Sequence, residues 1–244
     1  MPRPELERVS VTVRRAAYEA CQRAGSLRNG RPYRVGFAHP NKRRAANTKA
    51  CRGKVRPDVR VRTRRLEEVD LVCLHQTGTP PRDPRSPRLD LTAAHLLVLD
   101  DGEVRLLHPL LTRMRVGSRW WNSRCVTVEV RANLPTRYTS KGEPVWWRPD
   151  LAGTERIEEK VPQVRAVREL LKWLRGELPA IKYVGAHRQI EAAKPGCCGP
   201  DLFSECAMYA VQQYGYQVAP TDPRGLELLP TWTRAPRIPD TDPK

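Results

Sequence analysis

Residues 181–203, IKYVGAHRQIEAAKPGCCGPDLF, decide how this chain is read. Ile181, Tyr183 and Val184 are β-prone, Pro179 precedes them and the turn-rich 192–200 follows, so a short buried strand is predicted with His187 at its C-terminal mouth. Open α/β sheets collect ligands at that edge. A neutral imidazole and a thiolate both ligate zinc, and the segment from His187 to the adjacent Cys197 and Cys198 is long enough to fold back on itself. One histidine and one cysteine do not close a metal site, so a third ligand has to come from another strand.

Residues 69–80, VDLVCLHQTGTP, form a second apolar run that ends in His75 before a Thr/Gly/Pro turn. If the two runs are neighbours in one sheet, both imidazoles project from the same edge. The cysteine loop then closes a His/His/Cys set with the fourth position left to water. The alternative, that each histidine is a satisfied structural residue, stays open on spacing alone. A third stretch, CVTVEV at 125–130, alternates strictly: Val126, Val128 and Val130 share one face, and Cys125, Thr127 and Glu129 the other. A carboxylate in a mostly apolar strand is costly without a partner or a task. Glu129 is therefore a second candidate functional centre, the alternative being an ion pair with Arg131 or another base.

Five stretches, in this order, resemble the zinc-dependent N-acetylmuramoyl-L-alanine amidases related to phage amidase lysozymes and peptidoglycan-recognition proteins. LVCLHQTG resembles the first-ligand strand. LTAAHLLVLDDGEVRLLHP resembles a strand, Asp-Gly hairpin and following strand, and NSRCVTVEV the strand that carries a glutamate. QVRAVRELLKWL resembles the next helix, and VGAHRQIEAAKPGCCGP the last-ligand loop. The likeness spans roughly residues 67–216 and leaves out residues 1–66 and the C-terminal tail.

The resemblance implies an α/β fold with a central mixed β-sheet flanked by helices. Its catalytic domain would span 67–217, between a basic N-terminal extension at 1–66 and a Pro-rich tail at 218–244. It implies Zn2+ held by His75, His187 and Cys197. Cys197 is preferred because Gly199-Pro200 then falls where the family has Gly-Pro, with Cys198 as the alternative. It gives Glu129 the proton of the zinc-bound water and Lys194 the developing oxyanion. Lys194 stands three residues before Cys197, whereas the family's lysine usually stands two before its last ligand. His95 matches a histidine that is not a ligand, and a structural role is expected for it. Ala94 stands where some phage members carry a tyrosine; those members lack the strand glutamate, which favours Glu129 as the working group. The bond cut would join N-acetylmuramic acid to L-alanine in peptidoglycan.

The formal charge of +17 over 244 residues is unevenly spread. Residues 1–66 hold 19 Lys/Arg against 4 Asp/Glu, a net +15, which leaves 25 against 23, a net +2, for the remainder. Within the basic segment, Leu6, Val9, Val13, Ala16, Ala17, Ala20 and Ala24 recur at helical spacing. Such a segment attracts polyanions: anionic envelope polymers, lipid phosphates or nucleic acid, with a solvated arm as the alternative. No apolar stretch approaches the roughly 20 residues of a membrane span, and MPRPELERVS lacks a secretory core. The expectation is a protein made in the cytoplasm that reaches the wall through holin-type release. Seven cysteines, one adjacent pair among them, suit a reduced compartment better than a disulfide framework.

The remaining elements are a hairpin over 94–107 and an amphipathic helix over 163–178, started by Pro162 and stopped by Pro179. A further helix is expected over 201–214. Three functions compete at this stage: a phage endolysin, an intracellular amidase that recycles wall fragments, and a recognition module without catalysis.

Overall fold

The computed structural model describes residues 64–78, 94–107, 110–111, 113, 119–146, 150, 153 and 155–240. The helical spacing read from Leu6 to Ala24 lies outside them. The strands of the main sheet are β1 (Leu71–Gln76), β2 (Leu96–Val98), β3 (Val104–Leu106), β4 (Cys125–Val130), β7 (Tyr183–Ala186) and β8 (Gln217–Val218). Their spatial order is β3-β2-β4-β1-β7-β8. All neighbours are parallel except β3, which returns antiparallel to β2 through the predicted Asp-Asp-Gly turn. The expected α/β fold, a mixed central sheet flanked by helices, is what the chain adopts. A separate hairpin pairs β5 (Pro135–Tyr138) with β6 (Pro144–Trp146).

The alternation along the strands sorts the core into two layers. Val72, Leu74, Leu96, Val98, Val126, Val128 and Val130 face helix α2 (Val161–Glu177) and helix α3. Helix α3 runs from Pro200–Leu202 through a π-helical stretch, Phe203–Met208, to Tyr209–Tyr214. Pro162 occupies the first turn of α2, where its missing N–H leaves no bond unmade. Val164, Val167, Leu171 and Leu174 of α2 are fully buried. At about 1.5–3 kcal/mol per buried side chain, their packing outweighs helix propensities that differ by only ~0.7 kcal/mol per residue.

On the opposite layer Leu71, Cys73 and Cys125 pack with Trp121 of helix α1 (Arg119–Arg124), Ile190 and Ala219. Gly185 in β7 makes that layer fit, since a Cβ there would lie 2.4 Å from the Trp121 ring.

The segment after β8 belongs to the stretch read in the sequence as a Pro-rich tail. It forms no further helix or strand up to residue 240, yet it folds back over α3. Trp232 is fully buried against Phe203, with ring centroids 5.9 Å apart. Glu205, fully buried in the π-helical stretch, accepts the backbone N–H of Arg237 and of Ile238, each at 2.9 Å. Prolines between these anchors erase any periodicity, and their partners are about thirty residues away in sequence, so no local pattern marks the packing.

Candidate metal centre

The parallel register assembles the site. His75 is the Cα partner of Glu129 on β4, and Leu74 is the partner of Ala186 on β7. Glu129, His75 and His187 therefore stand side by side at the C-terminal edge of three adjacent strands, where His187 opens a 3-10 turn, His187–Gln189. Both histidine rings meet there, with centroids 4.5 Å apart. The cysteine loop returns to the same point, and Cys197 Sγ lies 3.9 Å from His75 Nδ1. One donor atom from each of His75, His187 and Cys197 lies within 4.8 Å of the others.

These donors are buried and short of partners. His75 is 7% exposed and Cys197 8%. Among the described residues the Nε2 atoms of His75 and His187 find no hydrogen-bond partner. Glu191 Oε2 approaches His187 Nε2 at 3.5 Å, at the outer limit of an ion pair and too far for a well-made hydrogen bond. Burial holds His75 well below the usual imidazole range, helped by His187 and Lys194. Burial also lowers His187, with Glu191 opposing and Lys194 assisting. Two imidazoles held neutral by burial, beside a buried thiol, form a donor set that suits zinc.

Several bonds hold the loop. Arg188 donates its backbone N–H to Cys197 O at 2.9 Å and its guanidinium to Pro195 O at 2.8 Å. The side chain of Gln76 brackets Leu134, accepting its N–H at 2.9 Å and donating to its carbonyl at 3.3 Å. Gly199 rests on this floor with φ +91°, and a Cβ there would stand 2.7 Å from Pro135 O. Cys198, the alternative ligand in the sequence, is fully buried with its sulfur 3.9 Å from Gly199 O, and lies outside the donor group.

Glu129 is half-buried, and burial pushes its carboxyl up to about 8 against the pull of Lys194. Arg131, the alternative partner weighed for Glu129, pairs with Asp100 at 2.8 Å instead. Lys194, itself half-buried, acts electrostatically on Glu129, His75, His187 and Cys197 alike. Burial, with Glu129 next, pushes the Cys197 thiol up to about 12, opposed by the Gln76 backbone N–H and Lys194. His95 is fully buried elsewhere in the sheet, with Nδ1 2.7 Å from Thr127 Oγ1 and Nε2 3.3 Å from Arg64.

Sequence reasoning did not find Gln76, Arg188 or Glu191. Gln76 and Arg188 each flank a histidine, but their partners are set by loop geometry and leave no spacing signature. Glu191 stands four residues after His187, a spacing that a helical reading of the turn would have flagged.

No protein-family model matches the chain, and no curated protein matches it. Solved structures do. An endolysin N-acetylmuramoyl-L-alanine amidase, LysCS, from Clostridium intestinale is 13% identical, covers 57% of this chain and 81% of its own, and superposes with a TM-score of 0.38. The Ph2119 endolysin from a Thermus scotoductus bacteriophage is 21% identical, covers 61% and 88%, and scores 0.39. Drosophila PGRP-LB is 14% identical, covers 68% and 94%, and scores 0.44. The likeness is partial, and the fold described above rests on its own strand order and register.

Proposed function

We propose that the chain is a zinc-dependent N-acetylmuramoyl-L-alanine amidase that acts on peptidoglycan, working as a phage endolysin. The observation that carries this reading is the convergence of His75, His187 and Cys197 at one sheet edge with Glu129 in register beside His75. The ordered sequence resemblance supports the substrate assignment.

His75, His187 and Cys197 would hold the ion, which when bound supplies a Lewis acid and an acidified water. The rest falls to the protein. Glu129 takes a proton at its carboxylate and returns it to the leaving amine. Burial raises this carboxyl above the usual carboxylate range, which makes it a stronger base than an exposed glutamate, and Lys194 opposes the rise. Lys194 places a positive charge where negative charge develops on the carbonyl oxygen. Both groups are partly withdrawn from water, which strengthens both effects.

The proposal gives the basic segment 1–66 the task of holding the enzyme on an anionic envelope. The described residues contain no helix long and apolar enough to cross a membrane. Zinc content per chain, measured on the parent and on His75→Ala, tests the metal reading: close to one ion per parent chain and a large loss in the variant are expected. Equal, negligible zinc in both would overturn it. Deletion of residues 1–60 tests the endolysin reading: wall binding should fall while hydrolysis of soluble muropeptides persists. Unchanged wall binding would favour a recycling enzyme.

A further inference from the structure

The C-terminal segment meets the two sides of the cysteine loop at separate points. Beside His187, Leu226 donates its N–H to Arg188 O and Asp222 donates its N–H to Gln189 O, both at 2.8 Å. Ala192 in turn donates to Arg224 O at 2.9 Å. Beyond the cysteines, Arg234 forms an ion pair with Asp201, which also accepts the Tyr138 hydroxyl at 2.6 Å. Between these points the Arg188 guanidinium lies 5.0 Å from the centre of the Trp232 ring. Arg188 is 6% exposed and is the residue that ties the His187 turn to Pro195 and Cys197.

We propose that Trp232 is a positioning residue for the metal loop, acting through Arg188 to set Cys197 against His75 and His187. The physical case is one of constraint. A guanidinium donating to Pro195 O needs a fixed plane, and an aromatic face on one side supplies it. Without that face Arg188 gains rotamers, the 195–197 turn loses its tether, and the sulfur drifts from the imidazoles. Groups behind the ligands set affinity in this way, and their loss typically weakens metal binding by about 10- to 100-fold. The inference rests on the metal reading above and adds to it a requirement for a residue far from the ligands in sequence.

The test is zinc affinity of the full chain by competition with a chromophoric chelator, together with the thiolate-to-metal charge-transfer band of the cobalt-loaded protein. Trp232→Leu and Arg188→Lys should each weaken zinc by about 10- to 100-fold and diminish the band. Trp232→Phe, which keeps an aromatic face, should recover most of the affinity. Val69→Ala, a core truncation before β1 at the opposite edge of the sheet, should lower the melting temperature and leave zinc affinity unchanged. Melting curves identify any variant that does not fold, and Arg188→Lys carries the test if Trp232→Leu is lost. A parent that binds zinc while Trp232→Leu and Arg188→Lys match it overturns the brace alone. A parent that binds no zinc overturns the metal reading and the brace with it.

Discussion

At the residue scale, Glu129 is the position where burial, register and charge act together. A carboxylate beside His75 in an apolar strand is destabilising in its charged form, which is why its pKa is pushed up to about 8. Glu129→Gln removes the proton acceptor while keeping shape and polarity. Hydrolysis of a muramoyl peptide should fall by about 10²- to 10⁴-fold, with zinc affinity and melting temperature nearly unchanged. A variant with full turnover would assign the proton to another group. Glu129 was legible in the sequence because a strict alternation set a charge among β-branched residues. The preference for Cys197 over Cys198 came only through the resemblance, from the place of Gly199-Pro200, because neither spacing nor composition says which sulfur a loop turns toward the histidines.

At the element scale, α2 and α3 are joined by an ion pair out of reach of solvent. Arg168 is 1% exposed, stacks 3.9 Å from the Tyr209 ring and reaches Glu205 at 3.3 Å. Glu205→Ala leaves that guanidinium with only the half-exposed Asp240, at 2.8 Å, as a counter-charge, and frees the backbone N–H groups of Arg237 and Ile238. Urea unfolding should show a loss of about 3–5 kcal/mol, the usual cost of breaking a buried pair from one side; a loss below about 1 kcal/mol would mark the pair as a surface-like contact.

The strands carry a second consequence in their thiols. Burial raises Cys125 from 9.0 to about 12, with Arg64 opposing and Asp70 adding to the rise. A folded pKa above the unfolded one gives stability that is complete below about 9 and is lost as pH rises toward 12. The melting temperature should therefore decline above pH 9, and Cys125→Ser should flatten that slope; an unchanged slope would place the alkaline loss on other groups.

At the scale of the whole molecule, the strands that carry the histidines and Glu129, the 94–107 hairpin and the long helix were legible because period-2 and period-3.6 patterns are local. The β5–β6 hairpin, α1 and the packed C-terminal segment were not. Trp232 and Ile238 sit among prolines and charged residues, and only the three-dimensional return of the chain gives them partners. The same holds for the support of the candidate site: His75 lies on a strand and His187 and Cys197 in the turn and loop after another, all beside patterns the sequence shows, while the bonds from Gln76, Leu134 and the segment after β8 leave no such pattern. The basic segment was visible in charge alone, and charge specifies attraction without specifying a partner. The proposed amidase activity needs all of these parts, and mass spectrometry of purified peptidoglycan after incubation with the zinc-loaded protein, with and without a chelator, reads it out. Released stem peptides bearing a free L-alanine amine, abolished by chelation, are expected. A wall digest, repeated with soluble muropeptides, in which no such peptide forms would contradict that activity.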